Sequence, residues 1–374
     1  MNLAVLGATG SIGRQTLAVA RRRGDRVVAL AARRAGPEFW QLVEEFRPEA
    51  YSYDEGSGEA AFGRRLSGPS ALTELALWPT VDTVVLAVTG FDGLPPLLAA
   101  VGAGRRVAAA TKEAIIAGGD LLRDAVARGL LVPVDSEHAA AFQLLGGRPP
   151  QTVRRLIITT SGGALRDWPL ERLSDATPED ALRHPNWSMG PLVTIDSATL
   201  MNKGIELIEA HVLFGLPLER LDVWIHPTQI VHALCETVDG ALYASLARPD
   251  MRLPIEQALA YPDVPEGALR PLEPEDMSEL RFARPDALRY PSLRLCRDAG
   301  TIGGTMPAVL TAVDQVAVQA FLSGEIGFGS IVPLIASVLD RHEVVVSPDF
   351  AALKAADAWA RRQAQVLLRG SEAR

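Results

Sequence analysis

The chain has 374 residues, 48% of them hydrophobic and 22% charged, a balance that suits a globular protein of two or three domains and excludes disorder or a fibre. Its formal net charge of -8 argues against a nucleic-acid binder, which needs a basic surface, and points to small-molecule partners. Only Cys235 and Cys296 are present, far apart, so neither a disulfide framework nor a thiolate metal site is expected and a reducing, cytoplasmic setting is the default.

The N-terminal stretch MNLAVLGATG lacks a basic leader region, and no apolar run approaches the ~18 residues of a membrane helix, so neither a signal peptide nor a membrane anchor is expected. Up to about residue 134, short apolar runs (3–6, 27–32, 81–88, 106–110, 130–134) alternate with helix-like segments. This is the pattern of a parallel sheet covered on both faces, and it predicts a Rossmann-like α/β nucleotide-binding domain over 1–134.

The loop GATGSIG, from Gly7 to Gly13, follows the first strand directly and opens a helix. That context suits a dinucleotide: glycines allow a tight turn and close backbone approach, and the helix N-terminus faces the pyrophosphate. A plain tight turn is the alternative. The second strand ends at Arg33 and Arg34 instead of a carboxylate, which favours a 2′-phosphate and hence NADP over NAD; a solvated surface pair is the other reading.

In VPVDSEH the last parallel strand runs into Asp135 and Glu137. At an extended strand end, side chains two apart lean to the same side, at the edge where such sheets bind ligands. Either residue alone also suits a helix cap.

From about 152 to 246 the strands 153–159, 221–226, 230–236 and 241–246 include an Asp239-Gly240 hairpin, which predicts antiparallel pairing and an α+β second domain over 135–261. TTSGGALR places Ser161 and two glycines after a strand, a phosphate cradle or an ordinary turn. RHPNWSMG offers Trp187 as a cover and His184 as a polar contact, though a lone His or Trp in a loop is more often structural.

IDSATLMNKGIELIEAH reads as an amphipathic helix beginning near Ser197, with Asn202, Glu206 and Glu209 on one face and Lys203 beside them. A third carboxylate to join Asp135 and Glu137 is sought here, and an all-acidic set favours Mg²⁺ or Mn²⁺ over zinc. The Pro-rich stretch 262–291 reads as a linker. Residues 292–374 read as a helical domain, with helix starts at Ser330 and at Ser347-Pro348-Asp349.

In order along the chain, GATGSIG, TKEAII, VPVDSEH, TTSGG, HPNWSMG, DSATLMNKGIELIEA and IHPTQIVH resemble the 1-deoxy-D-xylulose 5-phosphate reductoisomerase family. The resemblance implies a homodimeric enzyme that uses NADPH and a divalent metal. Its implied reaction turns 1-deoxy-D-xylulose 5-phosphate into 2-C-methyl-D-erythritol 4-phosphate for isoprenoid precursors. By position it implies Asp135, Glu137 and Glu206 as metal ligands, with Lys112 near the reacting carbons. Ser136, Ser161, His184, Ser197, Asn202 and Lys203 would contact the substrate and its phosphate, and Trp187 would sit on a mobile loop. Thr9, Gly10, Ser11, Ile12, Thr111, Lys112 and Glu113 would contact the cofactor.

The chain departs from the family pattern in Arg33, Arg34 and Ala35 after the second strand, in Thr111, and in VLTAVDQVAV, where Thr311, Asp314 and Gln315 inherit no role. A reductase acting on another small substrate, or an NADPH-binding regulator without turnover, are the competing functions.

Overall fold

The computed structural model describes residues 1–187, 189–267 and 269–372. Ser188 of the Trp187 loop, Ala268 of the Pro-rich stretch, and Ala373 and Arg374 of the helical segment lie outside the described residues. Two compact units emerge: Met1–Ala139 with Asp250–Arg270, and Ala140–Pro249 with the chain from Pro271 onward.

The first unit holds strands β1 (Asn2–Leu6), β2 (Arg26–Ala35), β3 (Ala50–Gly56), β4 (Arg64–Leu66), β5 (Thr83–Leu86), β6 (Arg106–Ala109) and β7 (Leu131–Pro133). They form one sheet in the order β4-β3-β2-β1-β5-β6-β7, parallel in every pairing. Burial on both faces accounts for the continuous apolar runs: Leu3, Ala4, Val5 and Leu6 have no exposed surface. The order reverses beside β1, so the GATGSIG loop lies at the switch point where open sheets bind nucleotides.

Two of these strands were not legible as apolar runs. β3, in AYSYDEG, alternates polar with aromatic residues, and its Tyr51 and Tyr53 make edge contacts with Phe39 and Trp40 of the helix Pro37–Phe46. The segment Asp250–Arg270 belongs to this unit through polar ties. Arg22 pairs with buried Glu256, and Arg106 donates to the Tyr261 carbonyl and lies over its ring.

The second unit contains β8 (Val153–Thr160), β9 (Leu221–Ile225), β10 (Val231–Thr237) and β11 (Leu242–Leu246), in the order β11-β10-β8-β9. β10 pairs antiparallel with both β8 and β11, as the Asp239-Gly240 turn predicts, while β8 and β9 run parallel. Leu156, Ile158, Val223, Ala233 and Cys235 of this sheet share a core with Leu207 and Ala210 of the helix Met201–Phe214. Helices Pro291–Ile302, Met306–Leu322, Ile331–Leu339 and Phe350–Glu372 complete the unit. The mixed α/β class, the Rossmann-like parallel sheet and the helical C-terminal region are as the sequence predicts.

Among the described residues no helix is long and apolar enough to cross a membrane.

Candidate active site

In the first unit, a cleft of about 560 Å³ opens beyond the carboxyl ends of β1, β2 and β5, lined by Gly7, Thr9, Gly10, Arg33, Asp54 and Thr89 among others. The glycine loop forms part of its wall and packs closely on its own surroundings. Gly7 has φ +99°, and a Cβ there would lie 2.3 Å from the Ala87 carbonyl oxygen; a Cβ on Gly13 would lie 2.2 Å from that of Gly7. The two glycines therefore let β1 meet β5 and let the helix Ser11–Arg23 sit against the loop. Ser11 and Ile12 form its first turn.

Arg33 and Arg34 lie within β2, which continues to Ala35, instead of following it as the sequence suggested. The extension is held by the next strand: Arg33 Nε donates to Glu55 Oε1 at 3.1 Å, and Arg34 Nε and Nη2 donate to Glu55 Oε2 at 3.3 and 3.0 Å. Arg34 first, then Arg33, hold the Glu55 carboxyl below the usual carboxylate range. Arg33 faces the cleft; Arg34 is not among its lining residues.

Thr111, Lys112 and Glu113 also lie outside that lining. Thr111 is buried and donates to the Val88 carbonyl at 2.5 Å. Desolvation pushes the Glu113 carboxyl above its ordinary value. Lys112 opens the helix Lys112–Gly118 and its Nζ donates to Asp135 Oδ2 at 2.9 Å.

Asp135 and Glu137 are not at an extended strand end. β7 stops at Pro133 and the helix Ser136–Leu145 begins at once, so Asp135 sits just before it and Glu137 in its first turn. Asp135 Oδ1 accepts from the backbone N–H of Glu137 at 3.2 Å and lies 3.0 Å from His138 Nδ1. One Asp135 oxygen thus caps the helix start and the other accepts from an ammonium. Ser136 Oγ donates to Glu137 Oε2 at 2.9 Å, and Glu137 is buried.

In the second unit, the expected helix beginning near Ser197 is two helices, Pro191–Thr199 and Met201–Phe214, separated by Leu200 at φ +56°. Ser197 is near the end of the first, where its hydroxyl donates to Val193 O at 2.9 Å. The break is also a contact point. A Cβ on Gly163, at φ +74°, would lie 2.3 Å from Ser197 O, so the TTSGG turn rests directly on this backbone.

Ser161, buried, accepts from the Gly163 N–H at 3.1 Å, and its Oγ lies 3.0 Å from His184 Nε2. His184 Nδ1 accepts from the Trp187 N–H at 3.0 Å. The structure therefore brings Ser161, His184 and Trp187 together. On the helix Met201–Phe214, Asn202 Nδ2 and Lys203 Nζ each donate to Glu206 at 2.5 Å, with Lys203 and Glu206 buried. Glu209, one turn on, is equally buried.

Family models describing 1-deoxy-D-xylulose 5-phosphate reductoisomerase match residues 3–119, and those of its C-terminal domains match residues 131–214 and 246–363. The chain is 50% identical to the 1-deoxy-D-xylulose 5-phosphate reductoisomerase of Thermomicrobium roseum over 98% of both chains. The chain belongs to the 1-deoxy-D-xylulose 5-phosphate reductoisomerase family.

Solved structures of that name agree in fold. The reductoisomerase from Zymomonas mobilis, in complex with NADPH, superposes with a TM-score of 0.89 at 36% identity over 98% of each chain. A second, in complex with NADPH, fosmidomycin and magnesium, gives 0.90 at 34% identity, covering 99% of this chain and 98% of that one. Sequence reasoning missed two neighbours: His138 beside Asp135 and Gln229 beside Trp187. Both stand in quoted motifs, where their types alone gave no sign of these contacts.

Proposed function

We propose that this chain carries out its family's reaction, the NADPH- and divalent-metal-dependent rearrangement and reduction of 1-deoxy-D-xylulose 5-phosphate to 2-C-methyl-D-erythritol 4-phosphate. In this reading residues 1–134 bind NADPH, 135–261 carry the catalytic groups, 262–291 link, and 292–374 support them. The working form is a cytoplasmic homodimer, and Mg²⁺ or Mn²⁺ serves as the metal.

Asp135, Glu137 and Glu206 would hold the ion. The donor set fits a hard cation: it is all carboxylate oxygen, and Ser136, Lys112, Asn202 and Lys203 fix those carboxylates from the side. When bound, the ion polarises the substrate's ketone and hydroxyl oxygens and the nicotinamide is the hydride source.

The remaining work falls to the chain's own groups. Lys112 places positive charge beside Asp135 and the reacting carbons. Ser136 faces the substrate between the two carboxylates. Ser161, His184, Ser197, Asn202 and Lys203 contact the substrate and its phosphate, and those contacts fix its orientation. Trp187 covers the substrate and excludes water. Gly7, Thr9, Gly10, Ser11 and Ile12 take the pyrophosphate, Arg33 and Arg34 the 2′-phosphate, and the helix start Thr111 to Glu113 the nicotinamide end.

The observation that carries this reading is Glu206, a buried carboxylate held by an ammonium and an amide at 2.5 Å each. The test is NADPH oxidation, followed by absorbance, with 1-deoxy-D-xylulose 5-phosphate and Mg²⁺ or Mn²⁺, then with EDTA. Oxidation that EDTA abolishes is expected. NADPH binding without oxidation would move the chain to another substrate or to a regulatory role.

A further inference from the structure

Gln229 has a backbone conformation that its residue type does not favour. It is buried and sits at φ +51°, in the turn between β9 and β10 where its N–H donates to the His226 carbonyl at 3.0 Å. Only a small fraction of non-glycine residues adopt such a conformation, and they cluster at functional sites where surrounding contacts over-determine them. A glycine would fill this turn without strain.

The side chain accounts for the choice of glutamine. Gln229 Oε1 accepts from the Trp187 indole Nε1–H at 2.9 Å and from Asn186 Nδ2 at 3.2 Å, and Asn186 Nδ2 also donates to the Pro227 carbonyl. One amide oxygen thus gathers two successive side chains of the loop. At the loop's other end, His184 lies 3.0 Å from Ser161 Oγ. The loop is tied to the turn on one side and to the phosphate candidate Ser161 on the other.

We propose that Gln229 is a positioning residue for the reductoisomerase reaction: its side-chain carbonyl docks Trp187 and so holds the 184–187 loop in the arrangement that receives the sugar phosphate. This rests on the functional reading above for the identity of the substrate. The docking itself stands on the hydrogen bonds alone. Docking on Gln229 reduces the ordering that Trp187 must still undergo on binding, so the effect falls on substrate affinity instead of on the chemical step.

The experiment combines a substrate-independent readout with kinetics. The Trp187 indole N–H is identified by NMR as the one of six tryptophan signals missing in Trp187→Phe. In Gln229→Gly, which suits the turn and deletes the acceptor, that N–H should exchange with solvent at least ~10-fold faster. In Gln229→Glu, whose carboxylate accepts the same bonds, it should stay protected. KM for 1-deoxy-D-xylulose 5-phosphate should rise about tenfold in Gln229→Gly, with kcat and the KM for NADPH within about twofold of the parent. Combining Gln229→Gly with Trp187→Phe should add nothing beyond the larger single effect.

Equal Trp187 exchange in the parent and Gln229→Gly overturns the proposal, as do additive effects in the double variant or a Gln229→Gly protein that cannot fold. Absence of turnover in the parent protein defeats the substrate reading instead and leaves the exchange result to decide the docking.

Discussion

Lys203 and Glu206 form an ion pair one helical turn apart, Nζ to Oε2 at 2.5 Å, with side chains only 4% and 1% exposed. Removing one member of such a pair leaves the other charge buried, at a cost of about 3–5 kcal/mol. Glu206→Gln should therefore both destabilise the fold and abolish turnover. Lys203→Met with Glu206→Gln should regain most of the lost stability in a denaturant melt while remaining inactive. Recovery of activity along with stability would show that Glu206 serves only the fold.

Arg33 faces the cleft beyond β1 and β2 with Nε on Glu55, and Arg34 gives both Nε and Nη2 to the same carboxylate. Arg33→Ala should raise the KM for NADPH by about tenfold, the worth of one charge-assisted contact, and leave that for NADH unchanged. Arg34→Ala should act more weakly. A pair of KM values for each nucleotide checks this, and equal losses for NADPH and NADH would place the 2′-phosphate elsewhere.

His226 has no exposed surface; its ring stacks on Phe282 at 4.6 Å, with Nδ1 2.8 Å from the Arg281 carbonyl and Nε2 3.1 Å from Thr228 Oγ1. Burial holds its pKa below the ordinary value of 6.5. The unfolded chain then binds the proton more readily, so this contribution is complete above pH 6.5 and is lost as pH falls through the depressed folded value. Urea melts between pH 7.5 and 5 should show stability declining on the acid side. The decline should be shallower in His226→Asn, which retains a donor for Arg281 but does not titrate.

Gly163 allows the TTSGG turn to rest on Ser197 O, where a methyl group would lie at 2.3 Å. Gly163→Ala should cost at least ~2 kcal/mol, through both the left-handed backbone and the clash. It should also weaken sugar phosphate binding by shifting Ser161 and Ser197 apart. A thermal melt and a KM measurement read the two effects separately.

Legibility in the sequence followed the physical signal each feature carries. The β1 loop announced itself because three glycines at fixed spacing follow an apolar strand, and Asp239-Gly240 fixed the hairpin because both residues tolerate the turn. β3 was hidden, since Tyr51 and Tyr53 alternate with polar residues and gain their partners Phe39 and Trp40 only in the folded unit. The break at Leu200 and the turn at Gln229 were equally hidden, because a left-handed leucine or glutamine has no local sequence mark. Asp135 was placed on a strand end because the apolar run before it concealed how soon the helix starts. The constellation around Glu206 could be read, as spacings of three and four on a helix translate directly into neighbours.

Central to the proposed function is that Asp135, Glu137 and Glu206 together would hold one divalent ion. Direct binding of Mn²⁺, followed by the loss of its free electron paramagnetic resonance signal, tests it in the parent protein and in Asp135→Asn, Glu137→Gln and Glu206→Gln. The expected result is one ion per chain in the parent and at least tenfold weaker binding in each variant. Undiminished affinity in Glu206→Gln, with the variant folded, would contradict the account.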